Sequence, residues 1–156
     1  MGQRIATRLK LLGIDLPAVR PPAASYLPYT RTGPLVYVAG QICQAQGHPL
    51  CMGKVGGAID LATAQKAARV CGLNILAVLA SACDGDLDRV VRCVRLGGFV
   101  NVAPGFTDIP QVVNGASDLV VEVFGDAGRH ARTAVGVEEL PRGAAVEVDA
   151  IFEVAS

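Results

Sequence analysis

In His130-Ala131-Arg132-Thr133-Ala134-Val135-Gly136-Val137, Leu140-Pro141-Arg142-Gly143 and Ala145-Val146-Glu147-Val148-Asp149-Ala150-Ile151-Phe152, Arg132 to Val137 and Ala145 to Val154 read as strands with the Leu140–Gly143 turn region between them. Side chains on a strand alternate between its two faces. In the second strand Val146, Val148, Ala150 and Phe152 share one face, and Glu147, Asp149 and Ile151 share the other. An acid in so apolar a strand is costly unless it is paired or opens onto a site. In the first strand Arg132 points with Ala134 and Gly136. A guanidinium among small neighbours leaves room for a carboxylate, which arginine binds with two parallel hydrogen bonds. Pattern alone leaves two readings open for Arg132 and Glu147. They are either a structural ion pair or solvent-facing charges, or they belong to a binding site.

Working back from this segment, Pro110 sits where a first helical turn tolerates proline, with Thr107 or Asp108 as cap. The helix that follows runs to Phe124 and stops at Gly125. Arg89 to Asn101 is apolar at nearly every position except Arg92 and Arg95, as in a strand covered on both faces. Leu61 to Cys83 is the clearest helix. Ala64, Ala68, Cys71, Ile75, Val78 and Ala82 recur at steps of three and four, and Asp60 is placed to cap it. Its small residues allow close packing. Residues 43–57 read as a loop, and Leu35 to Ile42 as a strand. Gln3 to Leu12 reads as a short helix ended by Gly13, followed by an extended arm set by Pro17, Pro21, Pro22 and Pro28.

The bulk composition agrees with one α+β domain over residues 1–156, of which 1–25 form the N-terminal helix and proline-rich arm. Hydrophobic residues make up 51% of the chain while aromatics are 4%, so the core is built from Val, Ala, Leu and Ile. Such apolar content at zero formal net charge points to surface buried in an oligomer. The balance of 14 basic and 14 acidic residues offers no excess for a nucleic-acid surface. No stretch has the length or composition of a membrane span or a signal peptide, so a cytoplasmic protein is expected. The five cysteines form no C-x-x-C pair and read as reduced, mostly buried thiols. There is no phosphate-binding glycine loop, no metal-ligand spacing and no evident Ser-His-Asp arrangement, so neither metal nor cofactor is expected.

The segment from His130 to Val137, with Leu140-Pro141 and Val146-Glu147-Val148, resembles the C-terminal signature of the YjgF-like reactive intermediate deaminase (Rid) family. Val36-Tyr37-Val38-Ala39-Gly40-Gln41 is similar to that family's strand ending in Ser-Gly-Gln, and Val113-Asn114-Gly115-Ala116 to its Asn-containing helix. The resemblance runs from about Tyr26 to the end. The N-terminal helix and Gly98-Phe99-Val100-Asn101 mark a divergent subgroup, often described as endoribonuclease L-PSP or translation initiation inhibitor.

The resemblance implies a chorismate-mutase-like fold, with helices on one face of a mixed sheet. It also implies a homotrimer around a central barrel, with clefts between subunits. It implies hydrolysis of enamine or imine derivatives of amino acids to 2-oxo acids and ammonia. Arg132 would clamp the substrate carboxylate, and Glu147 would position water or carry protons. Backbone groups at Gly40 and Ala134 would hold the substrate nitrogen. Tyr26 is the site tyrosine in an ungapped reading, with Tyr29 as its competitor. Asn114 would line or brace the cleft. His130 is either a proton carrier or, the favoured reading, a solvated loop residue. Ala134 stands where the family usually has cysteine, Ala39 where it has serine, and Val148 where it often has Ile or Met, so the substrate is less determined than the fold. The rival readings are a non-catalytic trimer that holds a small carboxylate at Arg132, and a ribonuclease, which the neutral charge disfavours.

Overall fold

The computed structural model describes residues 3–22 and 24–156. The parts of the expected N-terminal arm that fall on Met1, Gly2 and Ala23 lie outside the described residues. In chain order the elements are α1 (Arg4–Leu11), β1 (Tyr29–Thr32), β2 (Leu35–Ile42), β3 (Gln44–Ala45), β4 (His48–Pro49), α2 (Leu61–Ala82), β5 (Val90–Asn101), α3 (Ile109–Phe124), β6 (Ala131–Val137) and β7 (Val146–Val154). Five strands form one mixed sheet in the order β1-β2-β7-β5-β6, antiparallel except for the parallel β5–β6 pair. The residues expected to form a loop at 43–57 include the short β3–β4 hairpin. Arg89, expected to open β5, instead closes a 3₁₀ turn before it.

Both long helices cover one face of the sheet, α2 over β2 and β7, α3 over β5 and β6. The alternation in β7 explains why. Val146, Val148, Ala150 and Phe152 are buried under the helices, while Glu147, Asp149, Ile151 and Glu153 face the other way. At about 25 cal/mol per Å² of apolar surface removed from water, such a row drives the layers together. The opposite face carries no layer of its own and exposes Tyr37 (41%), Val91 (49%) and Val135 (40%). The expectation that β5 is covered on both faces therefore holds on one face within the chain.

Asp60 caps α2 as expected, its carboxylate accepting from the Thr63 backbone N–H at 2.8 Å. Asp108 occupies the cap position of α3 without a side-chain bond. The two helices approach closely through small residues, and a Cβ on Gly115 would strike the Gln65 carbonyl. The N-terminus of α1 is capped from far along the chain. The Asp88 carboxylate accepts from the backbone N–H groups of Arg4 at 2.9 Å and Ile5 at 2.8 Å. All five cysteines are unpaired. Burial pushes the Cys71 thiol well up and the Cys93 thiol up to about 12, which keeps both protonated. No helix among the described residues is long and apolar enough to cross a membrane.

Candidate functional site

The six residues singled out from the sequence fall into two groups, towards opposite edges of the sheet. The first group surrounds a cavity of about 510 Å³ at the free end of β2. Pairing between β1 and β2 ends at Tyr29 opposite Val38, and the Ala39 N–H donates to the Pro28 carbonyl. Beyond that point Gly40 to Ile42 have no strand on the β1 side, and residues of the proline-rich arm line the cavity there. Tyr26, Gly40 and Glu147 all line this cavity. Tyr29 instead lies in β1 and packs against the core.

Glu147 is seated by its register opposite Ile42 on β2 and Phe99 on β5. A Cβ on Gly40 would collide with its carboxylate, so glycine is what lets the acid lie across the bulged strand. Burial pushes the Glu147 carboxyl above its ordinary value, and the nearby Asp149 carboxylate adds to the shift. Such an acid is suited to exchanging protons with a reacting group.

The second group lies on the edge strand β6, under α3. Arg132 stands opposite Leu96 of β5, and Leu96 opposite Ala150 of β7, so its row is the one the helices cover. Ala134 follows in the same row and packs against the core. Arg132 Nη1 donates to Asn114 Oδ1 at 2.8 Å and to Ser117 Oγ at 3.1 Å, and Nη2 donates to the Pro110 carbonyl at 3.3 Å. A guanidinium has five N–H donors. Five less these three leaves one on Nε and one on Nη2 for a carboxylate.

The alternative of an Arg132–Glu147 ion pair is therefore corrected within one chain. Strand β5 stands between the strands that carry them, and no such pair occurs among the described residues.

His130 is also corrected. It does lie in the loop before β6, but it is part-buried and not solvated, with both ring nitrogens engaged. Nδ1 lies 2.7 Å from the Gly128 carbonyl and Nε2 lies 2.9 Å from Ser117 Oγ. A carbonyl only accepts, so Nδ1 carries a proton, and in the neutral ring Nε2 accepts from the Ser117 hydroxyl. A chain results, from Gly128 through His130 and Ser117 to Arg132 and Asn114. Ser117 escaped the sequence reading, although two signals were present. Asn114 and Ser117 are three apart on one helix face, and His130 stands two residues before Arg132 at the entry to β6. Among the described residues no cluster of three His, Cys, Asp or Glu side chains is arranged to hold a metal ion.

These features can be set beside known proteins. A family model described as "YjgF/chorismate mutase-like, putative endoribonuclease" matches residues 6–150. The chain is 47% identical over 151 residues to Protein TCP17 of Trypanosoma cruzi, covering 96% of this chain and 94% of that one. Among solved structures it is similar to Atu1372 of Agrobacterium tumefaciens, a protein of unknown function. Identity there is 45% and the TM-score 0.90, over 99% of this chain and 95% of the other. A Shewanella oneidensis protein with the same endoribonuclease description shares 33% identity at a TM-score of 0.92, over 96% and 99% of the two chains. Escherichia coli TdcF, solved with bound serine, shares the fold at 21% identity and a TM-score of 0.61, over 90% and 94%.

Proposed function

Because the chain belongs to the YjgF/chorismate mutase-like family, we propose that it hydrolyses small enamine or imine derivatives of 2-amino acids to 2-oxo acids and ammonia. The site would be a cleft completed by two copies of the chain in a cytoplasmic homotrimer. The observation that carries this reading is the division of the site residues. Arg132, with two donors unused among the described residues, lies under α3 on the edge strand β6, and Glu147 lines a cavity at the end of β2, towards the other edge of the sheet. Residues so separated in one chain meet only if a second copy brings its edge to the cavity. The uncovered sheet face, with Tyr37, Val91 and Val135 exposed, supplies apolar surface for that association.

In this cleft Arg132 holds the substrate carboxylate, with Asn114 and Ser117 fixing the guanidinium. Tyr26 closes the cavity, and backbone groups at Gly40 and Ala134 hold the nitrogen. An enamine first tautomerises to the imine. Water then adds to the C=N carbon, giving one proton to Glu147 as the carbon–nitrogen double bond becomes single. That proton passes to nitrogen to give a carbinolamine; its hydroxyl proton then moves to the same nitrogen through Glu147, the carbon–nitrogen bond breaks, and ammonia leaves as the carbonyl forms. Imine hydrolysis is intrinsically fast, so orientation and one positioned water are sufficient catalysis. That TdcF, of the same fold, was solved with serine is consistent with a small carboxylate as ligand.

The test is ammonia release from an imine generated in situ by an amino-acid dehydratase. Wild-type protein should accelerate release, and Arg132→Ala should abolish the acceleration with its assembly unchanged by light scattering. Equal rates with and without wild-type protein would remove the reading. Ligand-dependent thermal stabilisation without turnover would replace it with a carboxylate-binding trimer. RNA cleavage lost in a site variant would replace it with the activity that the relatives' descriptions carry.

A further inference from the structure

The cavity that holds Glu147 contains two further charges, and both are cationic. Of its lining residues only Arg20, Arg142 and Glu147 are charged. Arg20 comes from the proline-rich arm and Arg142 from the turn before β7, and both converge on Gly47 in the β3–β4 hairpin. Arg142 Nη1 donates to the Gly47 carbonyl at 2.7 Å. A Cβ on Gly47 would overlap the Arg20 guanidinium, so that guanidinium lies directly against the glycine. Among the described residues neither arginine is in an ion pair. Arg142 also has a left-handed backbone, φ 60, which is uncommon for a side-chain-bearing residue and tends to mark functional positions.

We propose that Arg20 and Arg142 form a subsite for a second acidic group, so that the preferred substrates derive from amino-dicarboxylic acids. The inference rests on the reading of this cavity as the substrate site. Arg132 accounts for the carboxylate next to the reacting carbon, and the two cavity arginines pair with no carboxylate among the described residues, Glu147 included. The size agrees. A cavity of about 510 Å³ is in the range that encloses drug-sized ligands, larger than a four-carbon oxo acid needs. Two guanidiniums from different segments are also the arrangement in which planar forks can hold a terminal carboxylate from both sides.

Calorimetric titration of the full-length protein with 2-oxoglutarate and with 2-oxobutanoate tests this. Wild-type protein should bind the dicarboxylate at least about tenfold more tightly, since one charge-assisted contact is worth that much. Arg20→Ala and Arg142→Gln should each reduce the preference and together erase it, with 2-oxobutanoate binding unchanged. Arg20 makes no hydrogen bond among the described residues, so its replacement leaves the hairpin anchored even if the Arg142 variant disturbs it. Arg132→Ala should weaken both ligands alike. Equal or weaker binding of the dicarboxylate by wild-type protein, or a preference that survives in the double variant, overturns the subsite. If Arg132→Ala changes neither affinity while the double variant still erases the preference, the clamp role of Arg132 fails and the subsite stands.

Discussion

Asn114 Oδ1 accepts from Arg132 Nη1 at 2.8 Å, a bond between α3 and the edge strand that fixes which donors the guanidinium has left. Asn114→Ala should loosen the clamp and weaken 2-oxobutanoate binding about tenfold, the scale of one hydrogen bond to a charged group. Asn114→Asp should be worse, because a carboxylate there pairs with Arg132 and competes with the ligand. Titration calorimetry on both variants checks the order. An Asp variant that binds as tightly as wild type would show that Arg132 is not the anion clamp.

Gly40→Ala tests the other half of the site. The added methyl group would displace the Glu147 carboxylate from its place across β2. In the proposed mechanism Glu147 contacts the attacking water, and a shift on the order of 1 Å in such a group costs about 10²-fold in rate. The variant should therefore lose most of its ammonia release while binding 2-oxobutanoate nearly as well. Parallel losses in binding and turnover would mean that Gly40 serves the backbone alone.

The raised pKa of Glu147 predicts a pH signature in stability. The folded protein holds this proton more tightly than the unfolded chain does. The group's contribution is fully present below the ordinary carboxylate range and is lost as pH rises through the elevated folded value. At neutral pH the ionised side chain therefore subtracts stability. Glu147→Gln should raise the melting temperature by about 1–2 °C near pH 7.5, and the gain should vanish below about pH 4. Melting curves across pH check this, and a variant less stable than wild type at pH 7.5 would mean the carboxylate is held by partners.

How far the sequence carries is visible in where these residues sit. Helix α2 was legible because Ala64, Ala68, Cys71 and Ile75 recur with the helical period and Asp60 precedes them. Strand β7 was legible because its alternation is unbroken for nine residues. Both signals are local. The sheet order, which sets β5 between the strands of Arg132 and Glu147, depends on β7 inserting between β2 and β5, and no local period encodes that. The cap on α1 comes from Asp88, across more than eighty residues. The hairpin at Gln44 to Pro49 has strands of two residues, too short to show alternation.

Asn101 is buried to 1% exposure at the end of β5 and joins three segments. Its Oδ1 accepts from Lys54 Nζ at 2.9 Å, and its Nδ2 donates to the Ala144 carbonyl at 3.2 Å. Asn101→Leu would leave that carbonyl without its side-chain donor and strip one partner from the Lys54 ammonium, at a cost of about 1–3 kcal/mol. Chemical denaturation should show this loss. Because Asn101 lines neither half of the site, the affinity for 2-oxobutanoate should stay unchanged.

The Ser117–His130 pair gives the last prediction. Ser117 donates to His130 Nε2 and accepts from Arg132 Nη1, so its hydroxyl is oriented by the imidazole and in turn orients the guanidinium. His130 is held by the Gly128 carbonyl and reaches Arg132 only through Ser117. The two are therefore positioning residues acting in series. Ser117→Ala and His130→Ala should each weaken 2-oxobutanoate binding several-fold, and the double variant should lose no more than Ser117→Ala alone. Non-additivity of that kind separates a shared route from two independent structural effects, which add when sites do not interact. Losses that simply add in the double variant would show that His130 acts on the fold and not on Arg132.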